Sequence, residues 1–263
     1  MTQRILSITS GENFRDLGGY QTTDGRHLKW RKLIRSGALG KLDDHDQAKL
    51  AALNVKYDID FRSPAEVKQL PDHVPSTAQF HHEPVFGTDL TEASKTTADL
   101  DQELMTIPNR GASHMQEVYR QMTHLDSSLV AYRNFFNYLL STPDDGALLF
   151  HCQAGKDRTG FGAYLVLSAL GVDFETIQQD YLLTNTTTSD WVTNKLAELR
   201  AAGHSETFVN NYAQLAGVDE SYLHAATSAI QAQYGSVNQF LTDALQLSNH
   251  DLRDLQSLYL TDN

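Results

Sequence analysis

Cys152 is the only cysteine in the chain, and Arg158 follows it six positions later, with Gln153, Ala154, Gly155, Lys156 and Asp157 between them. A thiol and a guanidinium at that spacing, joined by a tight turn, can face each other across a bound phosphate. The apolar run Ala147-Leu148-Leu149-Phe150 leads into this stretch, and a helical pattern from Phe161 to Leu170 leads out. Strand, loop and helix N-terminus is the context in which backbone N–H groups surround an anion. The helix dipole and Arg158 favour the thiolate, the nucleophilic form of cysteine. Attack on phosphorus would give a phosphocysteine that water hydrolyses. The planar fork of Arg158 matches two phosphoryl oxygens, which a lysine could not do. The N–H groups from Gln153 to Arg158 can hold the same oxygens as charge develops. Gly155 allows a turn that a β-carbon would obstruct, and Gly160 permits close packing where the helix begins. His151 can bond the loop backbone, and Thr159 can bond the sulfur. The competing reading is an inert buried cysteine. Against it, Lys156, Asp157 and Arg158 in a row are costly to bury beside an apolar strand unless they serve a site. Asp157 itself has two readings: an acid–base residue, or a partner that holds Lys156 or Arg15.

The ten residues His151 to Gly160 resemble the protein tyrosine phosphatase superfamily, whose loop reads His-Cys-x5-Arg-Ser/Thr. Ala154 to Gly160, Ala-Gly-Lys-Asp-Arg-Thr-Gly, is similar to a bacterial branch with phosphotyrosine, phosphoserine/threonine and phosphoinositide substrates. Asn13-Phe14-Arg15-Asp16-Leu17-Gly18-Gly19, Leu33 to Gly37, Asp58 to Ser63 with Glu66, and Asp180 to Asn185 resemble the branch's other motifs, in its order. The resemblance spans about residues 11–185. It implies a cysteine-dependent phosphatase of protein substrates, with dual specificity within reach and a phosphoinositide as the alternative substrate. It also implies that Arg15 and Asp16 lie near the pocket. The Trp-Pro-Asp acid loop of many tyrosine phosphatases is missing. Asp89, in Pro84-Val85-Phe86-Gly87-Thr88-Asp89, and Asp157 are the candidates for protonating the leaving group. Lys156 stands where inositide phosphatases place a lysine, but Gln153 replaces their second one. Arg35 and Arg62 read as structural, pairing with acids such as Asp16, Asp60 or Glu66.

The chain has 263 residues and a formal net charge of −12, so its average field repels nucleic acid and anionic membranes. One cysteine leaves no intramolecular disulfide and no thiolate zinc site. His81, His82, His114, His124 and His151 show no paired ligand spacing, and no metal or other cofactor is expected. No apolar run has signal-peptide length or reaches the roughly 18 residues of a membrane span. A cytoplasmic location is the expectation, with export lacking a cleaved signal as the other route.

Strand and helix patterns alternate up to the loop. Leu17 to Trp30 reads as a hairpin turning at Asp24-Gly25. Asp43 to Leu53 reads as a helix, Val55 to Phe61 as a buried strand, and Gln79 to Val85 as another strand. Ser63-Pro64-Ala65-Glu66 carries the signature of a capped helix start. Residues 87–112 read as a long loop, and His114 to Met122 and Asp126 to Leu140 as helices. After residue 172 only helical spacing remains. The expected fold is α/β and tyrosine-phosphatase-like: a central parallel or mixed sheet flanked by helices, in one domain over 1–263. Its C-terminal part is helical, and residues 186–235 are expected to form a lid or insertion over the cysteine.

Overall fold

A computed structural model describes residues 4–96, 100 and 102–261. Five strands form the sheet: β1 (Arg15–Asp16), β2 (Leu33–Ser36), β3 (Val55–Asp60), β4 (Gln79–His82) and β5 (Ala147–His151). Their spatial order is β1-β2-β5-β3-β4; only β1 runs antiparallel to its neighbour. Strand β5 is buried along its whole length, as expected for a parallel strand covered on both faces. Leu148 and Phe150 enter the larger core, while Ala147 and Leu149 enter a smaller one with Ile34, Leu50 and Val55. That alternation is the two-residue period of a strand. Ser36, His151 and Asp60 share one register, so β2, β5 and β3 end at the same level. The loops leaving them gather at one edge, the place where open parallel sheets build their sites.

Helices α1 (Asp44–Ala52), α2 (Pro64–Gln69), α3 (Gln102–Thr106), α4 (Arg110–Gln121) and α5 (Asp126–Ser141) precede β5. Asp43 caps α1; Ser63 and Glu66 close a full capping box on α2, with proline in its first turn. Helix α6 (Arg158–Ala169) leaves the cysteine loop. It is followed by α7 (Phe174–Thr187), α8 (Ser189–Ala201), α9 (Glu206–Ala216), α10 (Glu220–Tyr234), α11 (Val237–Asp243) and α12 (Asn249–Tyr259). Among the described residues the C-terminal part is therefore helical, and no helix is long and apolar enough to cross a membrane.

One further expectation holds and another is corrected. Leu17 to Trp30 folds back on itself around the expected turn: Gly19 N–H donates to Leu28 O at 2.8 Å, Leu28 N–H to Tyr20 O and Thr22 N–H to Arg26 O at 2.9 Å, with Gln21 bridging His27. Its backbone also bridges outward, Thr22 to Val172 and Leu28 to Leu260, which ties the hairpin to the α6–α7 connection and to the end of α12. Within residues 87–112, of which 97–99 and 101 lie outside the described residues, the chain forms α3 and starts α4 at Arg110. The first turn of α4 has no local side-chain cap. Its N–H groups are met from α9, Gly111 by Asn211 Oδ1 at 3.3 Å and Ala112 by Gln214 Oε1 at 2.9 Å. A helix start satisfied from about a hundred residues away leaves no local signal.

Candidate active site

Residues Cys152 to Asp157 form the turn between β5 and α6. Gly155 has φ +68°, and a Cβ there would run into the backbone of Ser36 and Gly37. Three successive loop carbonyls are bonded from behind: Gln153 O by Ala38 N (3.1 Å), Ala154 O by Asn13 Nδ2 (3.1 Å), and Gly155 O by Asn13 Nδ2 and Arg35 Nη2 (both 2.9 Å). The peptides are trans, so each N–H points opposite to its carbonyl. The N–H groups of Ala154, Gly155 and Lys156 are thereby aimed away from those donors. Cys152 is 1% exposed.

Arg158 is fully buried and forked onto Glu66, Nη1 to Oε2 at 2.7 Å and Nη2 to Oε1 at 2.9 Å. Nη2 also reaches Thr91 Oγ1 at 3.2 Å and lies 3.6 Å from Asp89 Oδ1. Nε has no hydrogen-bond partner among the described residues. Burial opposes the charge on Arg158, but Glu66 outweighs it and lifts the pKa well above its ordinary value. Sequence reasoning placed Glu66 only as a helix cap and a possible partner of Arg35 or Arg62. Its Oε2 accepts Ser63 N–H at 2.8 Å while holding Arg158, so one carboxylate serves both. Asp89 accepts from the N–H and Oγ of both Thr91 and Ser94. Burial pushes its carboxyl up, but Arg158 and these bonds bring it below its ordinary value.

Lys156 and Asp157 are buried as a pair, Nζ to Oδ2 at 3.1 Å. Lys156 Nζ also donates to Leu215 O and, at 3.3 Å, to Gly217 O, at the C-terminus of α9. Asp157 Oδ1 accepts from Tyr119 Oη at 3.1 Å, and Tyr119 in turn meets Tyr181 at 2.8 Å. Of its two expected structural partners, Asp157 thus has Lys156; Arg15 is bound elsewhere. A cavity of about 160 Å³ lies between Ala154 and Lys156 on one side and Trp191, Tyr212 and Leu215 on the other. Gln153 faces a smaller cavity with Ser10, Glu12 and Lys41. Thr159 Oγ1 is buried and makes no hydrogen bond among the described residues, so its expected bond to sulfur is not formed here.

Arg15 lies behind the loop, paired with Asp180. Asp16 accepts the N–H groups of Gly18 and Arg31, each at 2.8 Å, and makes no hydrogen bond to the loop among the described residues. Arg35 pairs with Asp180 at 2.7 Å rather than with Asp16, Asp60 or Glu66. Arg62 pairs with Asp60 and with Asp72, both at 2.8 Å. His151 Nδ1 lies 3.3 Å from Cys152 O, and Nε2 lies 3.2 Å from both Asp58 Oδ1 and Asp72 Oδ2. Burial disfavours the imidazolium, but Asp72, Asp60 and Asp58 outweigh it and raise its pKa well above the ordinary value. Burial pushes Asp58 up to about 6, against the pull of His151. Asp58, Asp72 and His151 come within metal-ligand reach of one another. The cations they face are already supplied by the chain, by Arg62 and the protonated His151.

A sequence model of the tyrosine phosphatase family matches residues 6–261. The chain is 34% identical over 257 residues to a candidate tyrosine-protein phosphatase of Cupriavidus necator, covering 97% of this chain and 88% of that one. It is 30% identical over 269 residues to the triple specificity protein phosphatase PtpB of Mycobacterium tuberculosis, covering 91% and 94%. A tyrosine-protein phosphatase of Nostoc commune is 32% identical over 153 residues, covering 57% of this chain and 47% of that one. With the match running through the cysteine loop and both sides of the sheet, the chain belongs to the tyrosine phosphatase family and is a cysteine-dependent phosphatase.

Proposed function

We propose that this protein hydrolyses phosphotyrosine in proteins or peptides through a phosphocysteine on Cys152. The observation that carries the reading is the cradle itself: a buried Cys152 beneath a loop whose Ala154, Gly155 and Lys156 N–H groups point inward, beside an Arg158 with Nε unpaired. The thiolate attacks phosphorus and the P–O bond to tyrosine breaks, its electron pair leaving with the phenolic oxygen. A carboxylic acid protonates that oxygen. Water then attacks phosphorus, the S–P bond breaks, and sulfur recovers its electron pair as phosphate departs. Arg158 and the loop N–H groups, from Gln153 to Arg158, hold the equatorial oxygens throughout.

Asp89 is the acid we favour over Asp157: its Oδ1 lies 3.6 Å from Nη2 of Arg158, the residue that grips the phosphate, whereas Asp157 is ion-paired with Lys156. Arg158 holds Asp89 ionised in this state. A phosphate dianion bound to Arg158 offsets that positive charge, so the Asp89 carboxyl rises toward the range of a working acid. Residues 186–235 act as a lid within a single phosphatase domain over 1–263. Supporting this, the α9 end holds Lys156, and Trp191 and Tyr212 wall a cavity shared with Lys156. With Cys152 this buried, the cover opens before substrate reaches it. The phosphoinositide alternative is not favoured: Lys156, its supporting residue, is bonded to Asp157 and to two lid carbonyls.

Turnover of a phosphotyrosine peptide with a chelator present tests the reading. Wild-type protein is expected to release phosphate, and Cys152→Ser to release none while still binding phosphate analogues. Asp89→Asn is expected to lose about a hundredfold or more in kcat on phosphotyrosine and less on p-nitrophenyl phosphate, whose leaving group is the better one. A Cys152→Ser protein with near wild-type rates refutes the mechanism, and equal losses on both substrates refute the role of Asp89.

A further inference from the structure

Behind the cysteine loop, two arginines converge on one carboxylate. Asp180, on α7, has a side chain 1% exposed. Its Oδ1 accepts from Arg15 Nε at 3.1 Å and from Tyr20 Oη at 2.9 Å; its Oδ2 accepts from Arg35 Nη1 at 2.7 Å. Each arginine extends from this anchor to the loop. Arg35 Nη2 donates to Gly155 O at 2.9 Å. Arg15 Nη1 donates to Asn13 Oδ1, and Asn13 Nδ2 donates to Ala154 O and Gly155 O at 3.1 and 2.9 Å. Asn13 holds a left-handed backbone, φ 61°, to make this reach. Two arms with one anchor thus fix the peptide planes 154–155 and 155–156.

We infer that Asp180 is a positioning residue for the phosphate cradle: through Arg35, and through Arg15 and Asn13, it orients the Ala154 and Gly155 carbonyls rearward and so aims the Gly155 and Lys156 N–H groups at the bound oxyanion. The inference rests on the reading of this loop as the phosphoryl site. Asp180 makes no hydrogen bond to the loop itself among the described residues, so its effect is relayed. Both arginines are fully buried, and a guanidinium stripped of its carboxylate in such surroundings must seek another partner. Arg35 already holds Gly155 O and Arg15 already holds Asn13, so either guanidinium, on shifting, carries its arm of the relay with it. Two arginines against one carboxylate also leave one net positive charge behind the cradle, which suits a dianion.

Tungstate binding to the full chain, followed by calorimetry, tests the relay without requiring turnover; kcat and KM are measured alongside. Asp180→Asn keeps the side-chain size and removes the charge. Asn13→Asp leaves Asp180 and both arginines in place but exchanges the loop-facing donor for an oxygen. Both variants are expected to weaken tungstate binding about tenfold or more and to lower kcat about tenfold to a hundredfold, with cooperative unfolding retained by Asn13→Asp. Tungstate affinity within twofold of wild type in Asn13→Asp overturns the relay, even where Asp180→Asn fails to fold. Wild-type affinity in a folded Asp180→Asn overturns it as well. A wild-type protein that binds tungstate without hydrolysing phosphotyrosine refutes the proposed function but leaves this comparison intact. A wild-type protein that binds no tungstate overturns both.

Discussion

Arg158 illustrates how much one side chain depends on its partners. Glu66 takes a bond from each terminal nitrogen, while Nε has no hydrogen-bond partner among the described residues. Arg158→Lys keeps the charge but loses the fork, so it forfeits Glu66's second bond and the planar contact with phosphate. We expect kcat/KM to fall at least about a hundredfold and phosphate inhibition to weaken with it, read from steady-state kinetics. Asp180 gives a pH signature. Burial pushes its carboxyl up, but Arg15 and then Arg35 bring it down to about 2. A carboxyl depressed in the folded state stabilises it fully above the unfolded value of about 3.9, and that contribution drains as pH falls toward about 2. The denaturation midpoint of the wild type should therefore drop between pH 5 and 2.5, and Asp180→Asn should show a shallower decline.

Among the elements, α2 is short but ties two functions together. Its capping box uses Ser63 Oγ for the Glu66 N–H and Glu66 Oε2 for the Ser63 N–H. Ser63→Ala is expected to cost about 1 kcal/mol in stability, seen as a lower urea midpoint, and to loosen Glu66 enough to reduce kcat as well. A stability loss with kcat unchanged would mean that Arg158 fixes Glu66 by itself. The cap of α2 was legible because its donors and acceptors lie within four residues of each other. The start of α4 was not, because its partners Asn211 and Gln214 arrive from α9. The hairpin from Leu17 to Trp30 was legible because its turn and its cross-arm bonds are local, whereas its bridges to Val172 and Leu260 carry no local signal.

At the scale of the whole molecule, the sheet brings the cysteine loop to one edge, the end of α9 bonds Lys156 there, and we propose that residues 186–235 cover it. Since Cys152 is the only thiol, its alkylation reports directly on that cover. Wild-type protein is expected to react with iodoacetamide about tenfold or more slowly than an exposed low-pKa thiol. Lys156→Met, which removes the bonds to Leu215 O and Gly217 O, should speed the reaction severalfold if these hold the lid shut. Equal rates in the two proteins would count against these bonds as a latch, and wild-type alkylation as fast as that of an exposed thiol would refute the lid.

Local information in the chain was enough for the nucleophile loop, the buried central strand, most helices and the cap of α2, because short-range geometry and hydrophobic period act over a few residues. It was also enough for the resemblance that the full-length family match later bore out. Charge partnership was settled only by the tertiary structure. Arg35 and Asp180 are 145 positions apart, and Glu66 and Arg158 are 92 apart. In an unfolded chain every acid competes for every arginine on similar terms. Burial then makes an unpaired charge costly, and the fold selects the one set of pairs in which the strand ends, α2 and α7 meet behind the loop.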